Sequence, residues 1–562
     1  MSPLVLASGA VGIILLATAL ARRTGVATPL ILVLIGAIIS LMPAIPDIEL
    51  QPEWILMGVL PPLLYASAVQ VPVIDLRRNV GMIGWLSIVL VIVSAFGVGA
   101  LVHLLLPSVP FAAGVALGAV ISPTDAVAAT AVGKRLGLPP RVMAVLEGES
   151  LFNDASALVM LKVATVAAAG GFSFLQLTGD FAYGVVIAVA LGLAIGWVSV
   201  LVRERISDPV LSTSVSLVLP WLVYWPAEEL GASGVVAVVV AGVLSGHLGL
   251  RRLSAQQRQI ERTNWATIAF LLENAVFLLM GLQLVDLFLD VTRNQSSVGL
   301  VVGVAAACVL ALVLLRVAAV AVFMRGARWR APHRARRLAA VDAAVKGLDD
   351  SDPQRAKARR RLARLRADRE FYRRAPITRK GGLVISWAGM RGVVTVAAAL
   401  TLPVSTPMRS TLIAVAFTVA LMTLLGFGLT LPWVIRRTGL GQDPSQSLHG
   451  EVVLVMRDVH RQAVSTLRED GDLDEEVVSG LAERLERIAK RDGLLARTLG
   501  AGPQEVDPET GEPVDPIRLA AVRYFDAARE ALADERSLGA YSTEAIAQVQ
   551  EVLDLEELRR TR

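Results

Sequence analysis

Eight consecutive residues bring several oxygen-bearing side chains together: Glu147-Gly148-Glu149-Ser150-Leu151-Phe152-Asn153-Asp154. An α-helix turns about 100° per residue, so Ser150 and Asp154 lie one turn apart on the same stripe of a helix. Glu149 and Asn153 lie one turn apart on the adjoining stripe. One helix face therefore presents two carboxylates, a hydroxyl and an amide, and this set of oxygen ligands indicates a site for a hard cation.

Asp154 lies deep inside an apolar segment. It follows Arg141 by about 13 residues, which places it roughly 20 Å along a helix and close to the middle of a bilayer. A charge at this depth is costly, so each one requires a reason. The charged residues within the predicted membrane segments are Asp125, Glu149, Asp154, Lys162, Glu273, Arg316 and Arg391.

The sequence Ser122-Pro123-Thr124-Asp125 interrupts a second apolar segment. Pro123 removes a backbone donor, so carbonyls of this stretch can turn inward as ligands. Thr124 can offer its carbonyl or its hydroxyl, and Asp125 a second carboxylate that binds directly or through water. Asp125 can equally cap the second half of the helix and stabilise its dipole, and the two roles are compatible.

Two arginines, Arg316 and Arg391, also lie at membrane depth. A buried guanidinium is stable only when it is paired, so we expect each to pair with an acid, with Glu149 as the first candidate. For Arg316 a purely structural ion pair is the favoured role. Glu273 either pairs with one of these arginines or marks the beginning of its membrane segment.

The composition of the whole chain is that of a membrane protein. Its 562 residues are 54% hydrophobic with a mean hydropathy of +0.60, which excludes an ordinary soluble protein. Apolar runs of about 20 residues are long enough to cross the hydrocarbon core. We predict thirteen membrane-spanning segments, at residues 4–20, 27–42, 54–70, 81–106, 111–133, 141–169, 181–202, 210–225, 233–249, 264–287, 298–324, 379–402 and 409–435.

The charges of the connecting loops predict the topology. Lysine and arginine are concentrated in alternate loops, as at Arg22 and Arg436, whereas the intervening loops are acidic, as at Asp47 and Glu228. The positive-inside rule then places the N-terminus outside and the C-terminal region in the cytoplasm. The same rule accounts for the net charge of +5, so the charge does not indicate nucleic acid as a partner.

The single cysteine, Cys308, excludes an intrachain disulfide and a cysteine-based metal site.

We divide the chain into a transmembrane domain, residues 1–437, and a C-terminal tail, residues 438–562. The transmembrane domain contains a basic insert, residues 325–380, which we expect to be a charged helical connector beside anionic headgroups. Amphipathic patterns after residue 451 predict a small helical domain in the cytoplasm, for which regulation, with a regulator as partner, is a hypothesis. The preference for arginine over lysine is typical of a bacterial protein.

Thirteen segments allow two six-segment repeats around a linker, in opposite orientations. The fifth segment then corresponds to the twelfth, which is interrupted by Gly389-Met390-Arg391-Gly392. Interrupted segments at matching positions of two repeats are a pointer to the binding site of a transporter. The sequence therefore predicts an all-α membrane protein whose site lies where the two interruptions meet.

Five motifs occur in an order that is typical of one family: Pro61-Pro62-Leu63-Leu64, Ser122-Pro-Thr-Asp-Ala-Val-Ala128, Glu147-Gly-Glu-Ser-Leu-Phe-Asn-Asp154, Glu273-Asn-Ala-Val-Phe-Leu-Leu-Met-Gly-Leu282 and Gly389-Met-Arg-Gly392. Together they resemble the sodium/proton exchanger family, which includes prokaryotic NhaP-type antiporters, animal sodium/proton exchangers and their plant relatives. The resemblance spans residues 1–437. The run that ends in Asn153-Asp154 is the most specific of the five motifs.

The resemblance implies a fold with crossed broken helices, a homodimer in the lipid bilayer, and electroneutral exchange. Asp154 then corresponds to the carboxylate that binds both the cation and the proton, and Asn153 marks the electroneutral branch. Glu149 and Ser150 would assist in binding, and the Thr124 carbonyl and Asp125 would complete the coordination of the monovalent cation. Arg316 and Arg391 match the family's intramembrane arginines.

The expected function is the exchange of sodium for protons across a bacterial cytoplasmic membrane, with no cofactor besides the transported ions. Potassium/proton exchange is an alternative, because sodium, potassium and lithium all take oxygen ligands and a sequence does not reveal cavity size. A gated cation channel is disfavoured because no carbonyl-rich filter repeat is present. An intramembrane protease using Asp125 and Asp154 is disfavoured because neither acid lies in a Gly-x-Gly-Asp setting.

Overall fold

The computed structural model describes residues 3–24, 27–42, 54–168, 174–293, 297–346, 376–441, 444–470, 516–538 and 541–560, with a few residues between 358 and 372. Every regular element in these residues is helical, which confirms the predicted all-α class. The chain forms two compact units. One comprises Met1–Leu253, Gln257–Trp329 and Ile377–Gln442, and the other Ser254–Gln256, Arg330–Pro376 and Asp443–Arg562.

The helices are numbered here in chain order, and two of them follow directly on a π-helical turn. They are α1 Pro3–Thr24, α2 Thr28–Ser40, a π-turn Trp54–Val59 with α3 Leu60–Gln70, α4 Val73–Gly84, a π-turn Trp85–Val89 with α5 Leu90–Leu105, α6 Phe111–Ile121, α7 Ala126–Arg135, α8 Pro140–Ala168, α9 Phe174–Glu204, α10 Pro209–Glu229, α11 Gly234–Arg252, α12 Ala255–Arg293, α13 Val298–Lys346, α14 Arg379–Trp387, α15 Val393–Leu400, α16 Arg409–Thr438, α17 Pro444–Asp470, α18 Pro516–Leu538 and α19 Thr543–Arg560.

Two of the predicted membrane segments are interrupted, each at the motif that the sequence analysis identified. α6 ends at Ile121, and α7 begins only after the non-helical residues 122–125. α14 is separated from α15 by residues 388–392 in the same way. Pro123 cannot donate to the helical ladder, and the glycines of the second motif stabilise a helix poorly, so both interruptions have a local cause.

Each of the thirteen predicted segments coincides with a helix or a pair of half-helices among the described residues. Eight of these helices have the length and hydropathy to cross a membrane. Three shorter apolar helices are Thr28–Ser40, Phe111–Ile121 and Gly234–Leu250. The chain is therefore a multi-pass membrane protein, while the number of crossings and the inverted repeats stay predictions.

Close contacts between small residues hold neighbouring helices together. A β-carbon added to Gly36 of α2 would lie 2.5 Å from the carbonyl oxygen of Leu278 and 2.9 Å from the Cα atom of Gly281 on α12. A β-carbon on Gly118 of α6 would collide with the backbone of Ala95 on α5. In a bilayer, where lipid tails are as apolar as leucine, such backbone approach is a main source of helix association.

The described helices of the C-terminal tail, α17, α18 and α19, share a core of their own that includes Val459, Phe525 and Val549. The hydroxyl of Tyr541 donates to the carboxylate of Asp458 beside this core. Burial and that carboxylate raise the pKa of Tyr541 above its usual range, so the hydroxyl keeps its proton and continues to donate. The amphipathic stripe predicted after residue 451 thus packs within a small helical unit.

We predict that Gly118→Leu destabilises the protein by about 1–3 kcal/mol or more, because the added atoms must push α5 away from α6. Gly303→Leu is the matched control, since a β-carbon there meets nothing within 4 Å. The measurement is the thermal unfolding midpoint in detergent. Equal midpoints for the two variants would contradict the close packing of α5 and α6.

Candidate ion-binding site

The two helix interruptions cross and are bonded to each other through their backbones. The backbone N–H of Asp125 donates to the carbonyl oxygen of Met390 at 2.7 Å. The guanidinium of Arg391 donates from Nε to the carbonyl oxygen of Ile121 at 2.9 Å, and from Nη1 to the carbonyl oxygen of Gly389. These bonds join α6, α7, α14 and α15 at a single point.

Charges of opposite sign lie at the half-helix ends that meet at this crossing. Arg391 bonds carbonyls beside the C-terminal ends of α6 and α14, where helix dipoles are negative. Asp125 directly precedes α7, and its carboxylate packs against Gly392, the residue before α15. One carboxylate thus lies near two positive N-terminal ends. A side chain larger than hydrogen at residue 392 would displace it.

Glu149 and Arg316 form a buried ion pair in this region. Nη2 of Arg316 donates to Oε2 of Glu149 at 2.8 Å, Nη1 contacts Oε1, and Nε donates to the carbonyl oxygen of Ile385 at 3.1 Å. The Thr124 hydroxyl also donates to Oε1 of Glu149, at 3.0 Å. Glu149 is 1% exposed, so both of its oxygens are occupied by protein groups away from water.

Asn153 connects α8 to the first interruption. Its amide nitrogen donates to the hydroxyl of Thr124 at 2.9 Å and to the Thr124 carbonyl oxygen at 3.3 Å. The amide oxygen of Asn153, Oδ1, is buried and has no hydrogen-bond partner among the described residues. An acceptor in that state costs free energy unless a ligand or water satisfies it. The position is therefore suited to a bound cation or its hydration shell.

Asp154 is partly exposed and makes no hydrogen bond or ion pair with any described residue. The residue before it, Asn153, bonds Thr124, the residue before Asp125, so Asp154 and Asp125 follow directly on the contact between α8 and the first interruption. Ser150 lies one helical turn before it on α8 and is also partly exposed. The structure therefore brings Asp154, Ser150, Asp125 and Thr124 into one region, beside an ion pair that is already satisfied.

Two further charged residues of the sequence analysis lie apart from this arrangement. Glu273 is far inside α12, which begins at Ala255, and it pairs with neither intramembrane arginine among the described residues. Lys162 of α8 bonds Glu228 of α10 at 2.7 Å. The expected acid partner of Arg391 is likewise replaced by backbone carbonyls.

Sequence reasoning missed Ser87, whose hydroxyl donates to the backbone carbonyl of Glu149 at 3.1 Å. Ser87 is buried in the π-helical turn Trp85–Val89. Such turns are rare and are frequent at functional sites. A lone serine within an apolar run carries no sequence signal for this contact.

A second buried polar network was also missed. Arg203 of α9 pairs with Glu261 of α12 at 2.6 Å, and Glu261 accepts from the hydroxyl of Ser216 at 2.5 Å. The indole N–H of Trp265 donates to the same hydroxyl at 2.9 Å. In the sequence, Arg203 and Glu261 stand outside the apolar runs. The helices extend beyond those runs, and the two side chains meet inside the bundle.

The family model for the transmembrane region of sodium/hydrogen exchangers matches residues 11–437. An uncharacterised sodium/proton exchanger of Mycobacterium tuberculosis is 29% identical over 558 residues, which cover 98% of this chain and 94% of that protein. A sodium, potassium, lithium and rubidium/proton antiporter of Bacillus pumilus is 29% identical over 80% of this chain and 64% of its own length.

A solved structure supports the fold. The sodium proton antiporter MjNhaP1 of Methanocaldococcus jannaschii superposes with a TM-score of 0.57 at 18% sequence identity. The superposition covers 78% of this chain and all of that chain. The resemblance noted in the motifs is thereby confirmed over most of the sequence. The chain belongs to the sodium/hydrogen exchanger family and is a multi-pass membrane cation/proton antiporter, a transporter and not an enzyme.

Proposed function

We propose that this antiporter exchanges one sodium ion for one proton across the cytoplasmic membrane, in support of pH and sodium homeostasis. Asp154 binds the cation and the proton alternately. Ser150, the Thr124 carbonyl and Asp125 complete the oxygen ligands. The observation that carries the proposal is that Asp154 has no hydrogen bond or ion pair with the described residues, at a depth where a lone charge is costly.

The exchange follows from competition for one carboxylate. Asp154 can hold a proton or a monovalent cation, and neither can bind while the other is present. If the protein changes its access only when this carboxylate is neutralised, each cation that crosses in one direction is matched by a proton in the other. Asn153 supports this reading, because an acid there would add a second titrating charge beside Asp154.

The neighbouring charges support a one-to-one stoichiometry. Glu149 is neutralised by Arg316, and the guanidinium of Arg391 lies at the same crossing as the Asp125 carboxylate. These charges do not change during a cycle in which only Asp154 is loaded and unloaded. We therefore assign Glu149 a positioning role: it holds Thr124 through the hydroxyl and takes no direct part as a cation ligand.

Potassium/proton exchange is the second candidate, and the Bacillus pumilus relative favours it as an alternative, since its name includes potassium. We also propose that the protein is a homodimer, that its N-terminus is outside, and that residues 438–562 form a cytoplasmic tail that binds a regulator. The basic insert, residues 325–380, lies beside anionic lipid headgroups.

We predict that Asp154→Asn abolishes cation-dependent proton flux in proteoliposomes while the protein still folds, because an amide cannot release the proton that the cation must replace. Exchange is measured with a pH-sensitive dye in the vesicle lumen after addition of sodium. Ser156→Ala is the control. Ser156 lies two residues beyond Asp154 on α8, and its hydroxyl bonds only the backbone carbonyl of Phe152 in the same helix. Full exchange by the Asp154 variant would refute the site.

We predict that exchange by the unmodified protein is unaffected by an imposed membrane potential, because no net charge moves in a one-to-one cycle. Rates are measured with and without an ionophore-generated potential, in parallel with sodium, potassium and lithium. A rate that follows the potential would overturn the stoichiometry. A higher rate with potassium than with sodium would replace the proposed cation and leave the antiport intact.

We predict that Arg316→Met lowers stability by about 3–5 kcal/mol, because it leaves the Glu149 carboxylate buried without a counter-charge. The double variant Glu149→Leu/Arg316→Met should recover most of that loss, since it removes both charges. Its exchange should stay low because Thr124 loses the acceptor of its hydroxyl. The measurements are thermal unfolding and proton flux, and an unchanged midpoint for the single variant would contradict the assigned role of the pair.

A further inference from the structure

The buried ion pair of Arg203 and Glu261 is part of a polar network that the proposed cycle does not use. Nη2 of Arg203 donates to Oε2 of Glu261 at 2.6 Å, and Nε donates to the hydroxyl of Ser212 at 3.3 Å. The hydroxyl of Ser216 and the indole of Trp265 continue the network from the other oxygen of Glu261. A guanidinium has five N–H donors on three nitrogens, and these bonds use only two of the nitrogens.

Four polar atoms in this part of the bundle have no hydrogen-bond partner among the described residues. They are Nη1 of Arg203 and the hydroxyl oxygens of Tyr65, Ser199 and Ser245. Arg203 and Tyr65 are 0% exposed, and the two serines are also buried. A buried polar group without a partner costs free energy, and native proteins satisfy nearly all such groups with protein atoms or ordered water.

The packing of α9 against α11 brings the two serines together. A β-carbon added to Gly196 of α9 would lie 3.1 Å from the Cα atom of Ala241 on α11. Gly192 meets the residue one turn earlier on α11, so the two helices run in the same direction at close range. Ser199 and Ser245 each lie one turn beyond this contact, on the faces that the two helices turn towards each other.

Tyr65 of α3 borders the same place. A β-carbon on Gly242 of α11 would lie 3.3 Å from Cδ2 of the Tyr65 ring, and Ser245 follows one turn later on that face of α11. The ring centroid of Tyr65 lies 4.9 Å from that of Trp265, whose indole N–H donates to Ser216. The unbonded hydroxyls of α3, α9 and α11 therefore lie beside the charged network.

Charge and hydrogen-bonding capacity favour water as the ligand of these atoms. Arg203 and Glu261 compensate each other, so a bound ion would bring an unbalanced charge into the bundle. The guanidinium needs an acceptor, whereas hydroxyls can donate or accept, and water serves both. A buried water molecule typically makes about three hydrogen bonds to otherwise unpaired groups, so four such groups can hold about one or two molecules.

We propose that the space between α3, α9, α11 and the Arg203–Glu261 pair is a hydration site. Resident water accepts from Nη1 of Arg203 and bonds the hydroxyls of Tyr65, Ser199 and Ser245. The water completes a polar network that joins α3 and α11 to α9, α10 and α12.

The hydration site lies beside the helix that contains the proposed transport site. Tyr65 and Trp265 belong to the same apolar cluster as Leu151 and Ala155 of α8, and Asp154 directly precedes Ala155. The water thus supports the packed surface against which α8 rests. Its presence does not depend on which cation the protein exchanges.

The test is X-ray radiolytic labelling of the full chain in detergent, in which hydroxyl radicals formed from water oxidise the nearest side chains. Mass spectrometry locates the products. We expect oxidation of Tyr65 although its side chain is fully buried, because resident water is the source of the radicals. Tyr183, which is exposed, is the positive control, and Phe417, which is fully buried in another apolar cluster, is the negative control.

Tyr65 that reacts no more than Phe417 would overturn the proposal. Equal oxidation of both residues at the level of Tyr183 would also overturn it, since the labelling would then report general entry of solvent.

Ser245→Val tests the position of the water, because it removes one hydroxyl and adds methyl groups to the site. We expect a several-fold loss of Tyr65 oxidation with that of Tyr183 unchanged. Ser214→Val is the matched control, since the Ser214 hydroxyl is exposed and bonds only the carbonyl of Val210. Undiminished oxidation of Tyr65 in Ser245→Val would contradict the site. If that variant does not fold, Ser199→Val on the neighbouring helix decides by the same criterion.

Discussion

The ion pair between Glu149 and Arg316 is the interaction on which the arrangement of the site depends. Besides joining α8 to α13, the two residues bond three other segments. The Glu149 carboxylate accepts from Thr124 of the first interruption, the Glu149 backbone carbonyl accepts from Ser87 of the π-turn, and Arg316 donates to the carbonyl of Ile385 on α14. Two charges removed from water stabilise a structure only when their remaining hydrogen-bonding capacity is filled. Here the partners that fill it also fix where α8 stands against the crossing.

Much of this fold is predictable from the sequence because the patterns that determine it act on neighbouring residues of the chain. Apolar runs give the membrane helices, and Pro123 and the glycines around Arg391 give the interruptions, since each acts on its own backbone. The face containing Ser150, Asn153 and Asp154 follows from helical spacing alone. Glu149 was the first candidate partner for the arginines because few acids lie at that depth, and it does contact Arg316.

The parts that escaped prediction depend on contacts between distant segments. Arg391 was expected to bind an acid, but the carbonyl ends of two broken helices carry enough negative character to satisfy it. Arg203 and Glu261 stand outside the apolar runs, and only the extended lengths of α9 and α12 bring them together. The spacing of residues in the sequence predicts neither the carbonyl partners of Arg391 nor the contact between Ser87 and Glu149.

The backbone bond between Asp125 and Met390 makes the two interruptions dependent on each other. It joins the two interruptions directly, and Arg391 joins the half-helices that precede them, so the four half-helices are connected at the crossing. A substitution that shifts the backbone of one interruption therefore acts on the other as well, because each supplies an atom to the same bond. The two halves of the site share one geometry instead of having two independent ones.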